Sequence, residues 1–251
     1  MTHKTFTSAT PQAPSFGGWV TIDSLAVVEH LALVGFDYIG IDTQHSMIDI
    51  PTAAKLLYAL PAGAPPSIVR VPSNDHAAIG RILDCGADGV IVPMINTAQD
   101  AAAAVQACRY SPSGSRSFGP IRTHIGRDVS ELQERAACLV MVETEEAVRN
   151  IDSIVRTPGI TGVYLGPADL AVTMGLPPTP RPMPQTLREA VRKVAKACRE
   201  AGVTPACHGL SAEHIAEAIA DGYSVITLTA DKGYLRAGAA ALLNECRKVR
   251  P

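Results

Sequence analysis

The chain has 251 residues, with 22 basic and 24 acidic side chains for a formal net charge of −2, and 47% hydrophobic but only 4% aromatic residues. That length suits one barrel-sized domain or two small ones. With Lys and Arg scattered along the chain there is no electrostatic footprint for a phosphate backbone, and no run of roughly 18 apolar residues exists to span a bilayer, so neither nucleic acid nor membrane is an expected partner.

Met1 to Phe16 is polar and Pro-containing, lacks the apolar stretch of a secretory signal, and is expected to be loosely ordered. Short β-branched runs then alternate with amphipathic ones. Strands are expected at Gly18 to Ile22, Tyr38 to Ile41, Ser67 to Val71, Gly89 to Pro93, Cys138 to Glu143, Gly162 to Leu165, Thr204 to Cys207 and Ser224 to Leu228. Helices are expected to begin near Ser24, Ile50, Asp75, Thr97, Glu145, Gln185, Ser211 and Asp231. This alternation predicts an α/β fold, a single-domain (β/α)8 TIM barrel over residues 1–251. Gly35, Gly86, Gly202 and Gly222 each sit where a helix should stop before the next strand. Tyr110 to Arg127 is irregular, carrying Arg116, Arg122, His124 and Arg127 among Gly, Ser and Pro, and reads either as a functional or interface loop or as a solvated one. No two of the six cysteines lie within three residues of each other, and they read as small core residues and not as a zinc site or redox pair, which suits a reducing cytoplasm.

Sites in such barrels form at the C-terminal ends of the strands. The polar residues there are few: Asp42, Gln44 and His45 after the second strand, Arg70 in the third, Glu143 after the fifth, and Asp169 in Gly166-Pro167-Ala168-Asp169-Leu170 after the sixth, with Trp19 in the first. Taken one at a time, Asp42 and Asp169 read as helix caps, Arg70 as the partner of a nearby carboxylate, and His45 as a hydrogen-bonded loop histidine. Together they converge on one mouth, where unpaired buried charge is costly. Two carboxylates without His or Cys companions suit a hard cation such as Mg²⁺ or Mn²⁺, and the Gly166 to Leu170 turn offers free backbone N–H groups for a substrate carboxylate. The combination reads as a seat for a 2-oxo acid. His208, after the seventh strand, reads either as a loop histidine without a role or as a group reaching a second substrate.

These residues resemble the metal-dependent (class II) pyruvate aldolases of the HpcH/HpaI type, which include 4-hydroxy-2-oxoheptanedioate and 2-dehydro-3-deoxyglucarate aldolases. The resemblance runs in order through Trp19, Ile41-Asp42-Thr43-Gln44-His45, Val69-Arg70-Val71-Pro72, Val90-Ile91-Val92-Pro93-Met94, Cys108-Arg109-Tyr110, Val142-Glu143-Thr144 and Gly166-Pro167-Ala168-Asp169-Leu170. It implies cleavage or formation of 4-hydroxy-2-oxo acids from pyruvate and an aldehyde through a metal-stabilised enolate, with Mg²⁺, Mn²⁺ or Co²⁺ as cofactor. It makes Glu143 and Asp169 the metal ligands, His45 the base, Arg70 the stabiliser of the enolate oxygen and Asp84 the carboxylate that raises the basicity of the histidine. Trp19, Gln44, Gly166, Pro167, Ala168 and Asp169 would line the substrate, with Asp42 and Met141 behind them. Gln44 stands where many relatives carry Glu and Met141 where many carry Gln, which points to an altered substrate scope with the lyase chemistry retained.

Asp84 closes a helix that runs away from the mouth, so the role the resemblance gives it is expected to be met by pairing with His45 of a neighbouring subunit; the other reading is a helix-end Asp that is simply solvated. The resemblance also implies a homohexamer, a trimer of dimers with an exchanged C-terminal helix at Gly233 to Val249. The competing readings are a Schiff-base aldolase using Lys232, a citrate-lyase-like or malyl-CoA-type lyase, and a non-catalytic ligand-binding barrel.

Overall fold

The computed structural model describes residues 6–209 and 211–249. Eight parallel strands, β1 (Ser15–Val20), β2 (Tyr38–Asp42), β3 (Ser67–Arg70), β4 (Gly89–Val92), β5 (Ala137–Val142), β6 (Gly162–Leu165), β7 (Thr204–His208) and β8 (Val225–Ala230), close into a barrel in sequence order. The helices are α1 (Leu25–Ala32), α2 (Ile50–Ala59), α3 (His76–Asp84), α4 (Ala98–Cys108), α5 (Val129–Arg135), α6 (Glu145–Arg149), α7 (Ile151–Ile154), α8 (Pro167–Thr173), α9 (Gln185–Ala201), α10 (Ala212–Asp221) and α11 (Asp231–Lys248). The expected (β/α)8 barrel is therefore present. No helix among the described residues is long and apolar enough to cross a membrane.

Local chemistry sets the boundaries. Ser24, Asp75, Thr97 and Ser211, expected as helix starts, are the N-caps, each accepting a first-turn N–H. Gly202 and Gly222 end α9 and α10 in the left-handed region, at φ 71° and 105°, where a Cβ would be strained. The three short helices α5, α7 and α8 had no periodic signal, because two turns or fewer do not establish a face.

β1 begins at Ser15, earlier than expected, since it pairs with β8 from Ser15 opposite Val225. Gly17 and Gly18 weaken the strand signal but make room for neighbouring rings: a Cβ on Gly17 would come within 2.2 Å of the Tyr38 ring. The expectation of a loose segment up to Phe16 fails for its described part. Phe6 is fully buried edge-on to Tyr38, and its carbonyl accepts the Thr204 hydroxyl at 2.6 Å, at the end of the barrel opposite the mouth.

The core has two layers. Ile68, Ile91, Leu139, Met141, Tyr164 and Val225 fill the barrel lumen, while a larger Val, Ile, Leu and Ala layer lies between strands and helices. Cys85, Cys108, Cys138, Cys198 and Cys207 are buried and unpaired as thiols, and Cys246 is exposed.

Candidate active site

The two-residue alternation of each strand decides what reaches the mouth. On β5, Ala137, Leu139 and Met141 face the lumen while Cys138, Val140 and Val142 face the helices, so Glu143 continues the inward series at the rim. The same count points Trp19, Asp42, Arg70, Gly166 and His208 inward from β1, β2, β3, β6 and β7.

Asp42 is 2% exposed and grips Arg70 with both oxygens: Arg70 Nε donates to Oδ1 at 2.9 Å and Nη2 to Oδ2 at 2.6 Å. It also accepts the backbone N–H of Gln44 at 3.0 Å and of His45 at 3.3 Å, so it shapes the loop that carries His45. Burial would raise the Asp42 pKa, but the hydrogen bonds and charge of Arg70 outweigh it and hold the carboxyl below its usual range. The bland reading of Arg70 as the partner of a nearby carboxylate is thus correct, and compatible with a catalytic one, because Nη1 keeps its donors. The guanidinium lies 5.5 Å from the centre of the Trp19 ring. Gly40 accommodates that ring, since a Cβ there would approach it to 2.2 Å.

Glu143 is 2% exposed, and its Oε1 accepts the Met94 N–H at 2.7 Å. Met94 has φ 56°, the only non-glycine residue at positive φ among the described residues, and this strained backbone aims the N–H at the carboxylate. Burial pushes the Glu143 pKa up to about 7, with the neighbouring Asp169 charge adding to the rise while Met94 and Arg70 oppose it. Gly166 permits this arrangement: a Cβ there would sit 2.6 Å from Met141 Cε and 2.7 Å from Glu143 Oε2. Asp169 lies exposed in the first turn of α8, whose N-cap, Gly166, makes no side-chain cap. Asp169 is therefore not a cap, and Asp42 precedes no helix directly.

Pro167 and Ala168 stand beside Asp169, partly exposed. His45 is exposed on the loop after β2, and the buried Gln44 Oε1 has no hydrogen-bond partner among the described residues. Asp84, at the far end of α3, pairs with Arg116 at 2.6 Å, and that guanidinium stacks 4.7 Å from the Tyr110 ring centre. Two of the loop arginines are packed instead of simply solvated, Arg116 as above and Arg122, which reaches the Leu57 carbonyl and lies over Tyr58; Arg127 lies over Phe118 at the surface. Lys232 is exposed at the start of α11.

Among the described residues no cluster of three or more His, Cys, Asp or Glu could hold a metal. Glu143 and Asp169 form a pair, and its chemistry fits a hard cation: two carboxylates lie side by side, and burial together with the Asp169 charge makes the inner one hold its proton to about 7, a cost that a cation between them would relieve.

The sequence profile of the family described as HpcH/HpaI aldolase/citrate lyase matches residues 15–236. The chain belongs to this family. It is 34% identical over 239 residues to a hydroxypyruvate/pyruvate aldolase of Rhizorhabdus wittichii, covering 94% of this chain and 95% of the relative. It is 32% identical to a 4-hydroxy-2-oxo-heptane-1,7-dioate aldolase of Klebsiella pneumoniae, covering 91% and 88%. A family member of known structure from Burkholderia cenocepacia superposes with a TM-score of 0.86 at 29% identity, covering 93% and 95%.

Proposed function

We propose that this HpcH/HpaI family member is a divalent-metal-dependent pyruvate aldolase, which cleaves or forms 4-hydroxy-2-oxo acids from pyruvate, or a related 2-oxo acid, and an aldehyde. The observation that carries the reading is the buried Glu143 beside Asp169, with the Arg70–Asp42 pair on the same inner face. Named pyruvate and hydroxy-oxo acid aldolases among its relatives support it.

Glu143 and Asp169 would hold Mg²⁺, Mn²⁺ or Co²⁺. Bound there, the cation supplies Lewis-acid polarisation of the 2-oxo group. The backbone of Ala168 and Asp169, with Gly166 and Pro167 making the turn, seats the substrate carboxylate. His45 removes a C3 proton, and Arg70 uses the donors that Asp42 leaves free to stabilise the negative oxygen that develops. Asp42 keeps that guanidinium charged and fixed. Trp19 walls the mouth, and Met141 presents an apolar flank where a polar contact to substrate is absent.

We assign Asp84 to His45 of a neighbouring subunit, because in its own chain it faces Arg116 at the end of α3. The C-terminal helix supports an assembly. In α11 Leu235, Leu242 and Leu243 are 68%, 64% and 50% exposed, a face that the barrel of its own chain leaves uncovered and that a neighbouring copy in a homohexamer would bury. The whole chain would act as one catalytic unit, and its unpaired thiols suit a reducing cytoplasm.

The test is exchange of the pyruvate methyl protons with deuterium, followed by NMR, with Mg²⁺, Mn²⁺ or Co²⁺ and with EDTA. Metal-dependent exchange is expected; absence of exchange with every divalent cation would remove the aldolase reading. Exchange that is insensitive to EDTA, together with inactivation by borohydride in the presence of pyruvate, would favour Schiff-base chemistry instead.

A further inference from the structure

His208 ends β7 with the inward direction of Ala206, and its ring stands edge-on to Trp19, with centroids 6.0 Å apart and planes at 75°. Trp19 therefore has the Arg70 guanidinium and the His208 imidazole beside it at the rim, with the Tyr164 ring stacked on it at 6.4 Å between centroids. β3 and β7 lie half a barrel apart, so the two groups reach the indole from opposite sides, while β5 and β6 lead into Glu143 and Asp169. A 2-oxo acid seated at Glu143 and Asp169 leaves the Trp19 wall, with its two polar flanks, for the second reactant.

The flanks differ in kind. Arg70 is charged and already committed to Asp42 through two hydrogen bonds. Neither ring nitrogen of His208 hydrogen-bonds to any described residue. Burial, helped by the Arg70 charge, pushes its pKa down to about 4, so the ring is neutral at working pH, with one N–H donor and one bare nitrogen acceptor. Such a ring has no charge to offer an anionic tail, but a hydroxyl, itself donor and acceptor, matches it.

We propose that His208 is the acceptor-side specificity residue, hydrogen-bonding a hydroxyl carried beside the aldehyde carbon, so that the enzyme prefers short hydroxyaldehydes to alkyl aldehydes of the same size. This rests on the aldolase reading above. The bland reading is that His208 only props the indole.

Condensation of pyruvate with glycolaldehyde and with propanal separates the two, because these aldehydes have equal numbers of heavy atoms and differ by a hydroxyl in place of a methyl. The intact protein is expected to favour glycolaldehyde in kcat/KM. In His208→Leu that preference falls by about tenfold, the worth of one neutral hydrogen bond, with the loss on glycolaldehyde; His208→Asn, which keeps a donor and an acceptor, restores part of it. An unchanged ratio in His208→Leu, or an equal loss for both aldehydes in both variants, overturns the proposal. Pyruvate methyl exchange by the unaltered protein, measured without aldehyde, reports on the aldolase reading separately: exchange with no aldehyde preference sinks only the role of His208, and absence of exchange sinks the underlying reading.

Discussion

Replacing Arg70 by Ala would strand Asp42, a carboxylate 2% exposed whose two oxygens now meet a guanidinium at 2.9 and 2.6 Å. Deleting one partner of a buried ion pair costs about 3–5 kcal/mol, because the other charge stays buried. The pH dependence is the sharper signature. In the intact protein the folded-state pKa of Asp42 lies below its unfolded value of 3.8, so its contribution to stability is present above that pH and lost as pH falls through the folded value. Without Arg70, burial is opposed only by the Gln44 and His45 N–H groups, and the folded pKa moves above the unfolded one. Asp42 then costs stability as pH rises, and the dependence on pH inverts. Urea unfolding at pH 4.5 and pH 8 should show the Arg70→Ala deficit near its full value at the higher pH and clearly smaller at the lower one. Adding Asp42→Asn should return at least about 1 kcal/mol by removing the orphaned charge. A deficit equal at both pH values, or single changes that simply add, would refute the assignment of Asp42 as a buried carboxylate held ionised by Arg70.

Glu143 gives a prediction for the metal. A cation must displace the proton that Glu143 holds to about 7, so Mn²⁺ affinity measured by calorimetry should be about tenfold weaker at pH 6 than at pH 8, with about one proton released at pH 6. Glu143→Gln should bind no Mn²⁺ in the same range and lose metal-dependent pyruvate exchange while keeping its circular dichroism. Gly166→Ala forces a methyl against Met141 Cε and Glu143 Oε2, so kcat/KM should fall by more than about tenfold while unfolding shifts by only about 1–3 kcal/mol; a variant with full activity would contradict the close packing at that turn. Leu242→Glu with Leu243→Glu should reduce the mass seen by light scattering if α11 docks on a neighbouring copy, and no change would remove that role.

The barrel was legible because its signals are local and repeated: helix caps, left-handed glycines and β-branched runs recur at each βα unit, and no long-range fact is needed to count them. Glu143 was legible for a related reason, as the first carboxylate after an apolar run. The partners of these residues were not. The bidentate grip of Asp42 on Arg70 joins positions 28 apart in sequence and depends on the register of β2 with β3, in which Asp42 lies opposite Arg70. Met94 lies in one of the runs that carry the resemblance, but its role was not legible, since its part in the site is a backbone N–H aimed by a positive φ, and no side-chain pattern encodes that for a methionine.

His208 shows how small an error leaves the choice between two readings of a residue open. The sequence places the end of the seventh strand at Cys207, which the structure finds facing the helices, and a histidine beyond a strand end has no defined direction. The strand runs one residue further, and the alternation then fixes His208 on the same face as Ala206, inside the mouth and against Trp19. Extending a strand by one residue thus adds one inward position, and at the rim of a barrel that position belongs to the site. Asp84 is the opposite case. Its helix direction was readable and correct, and it puts the carboxylate at Arg116, so any part it takes in proton transfer has to come through a second copy of the chain.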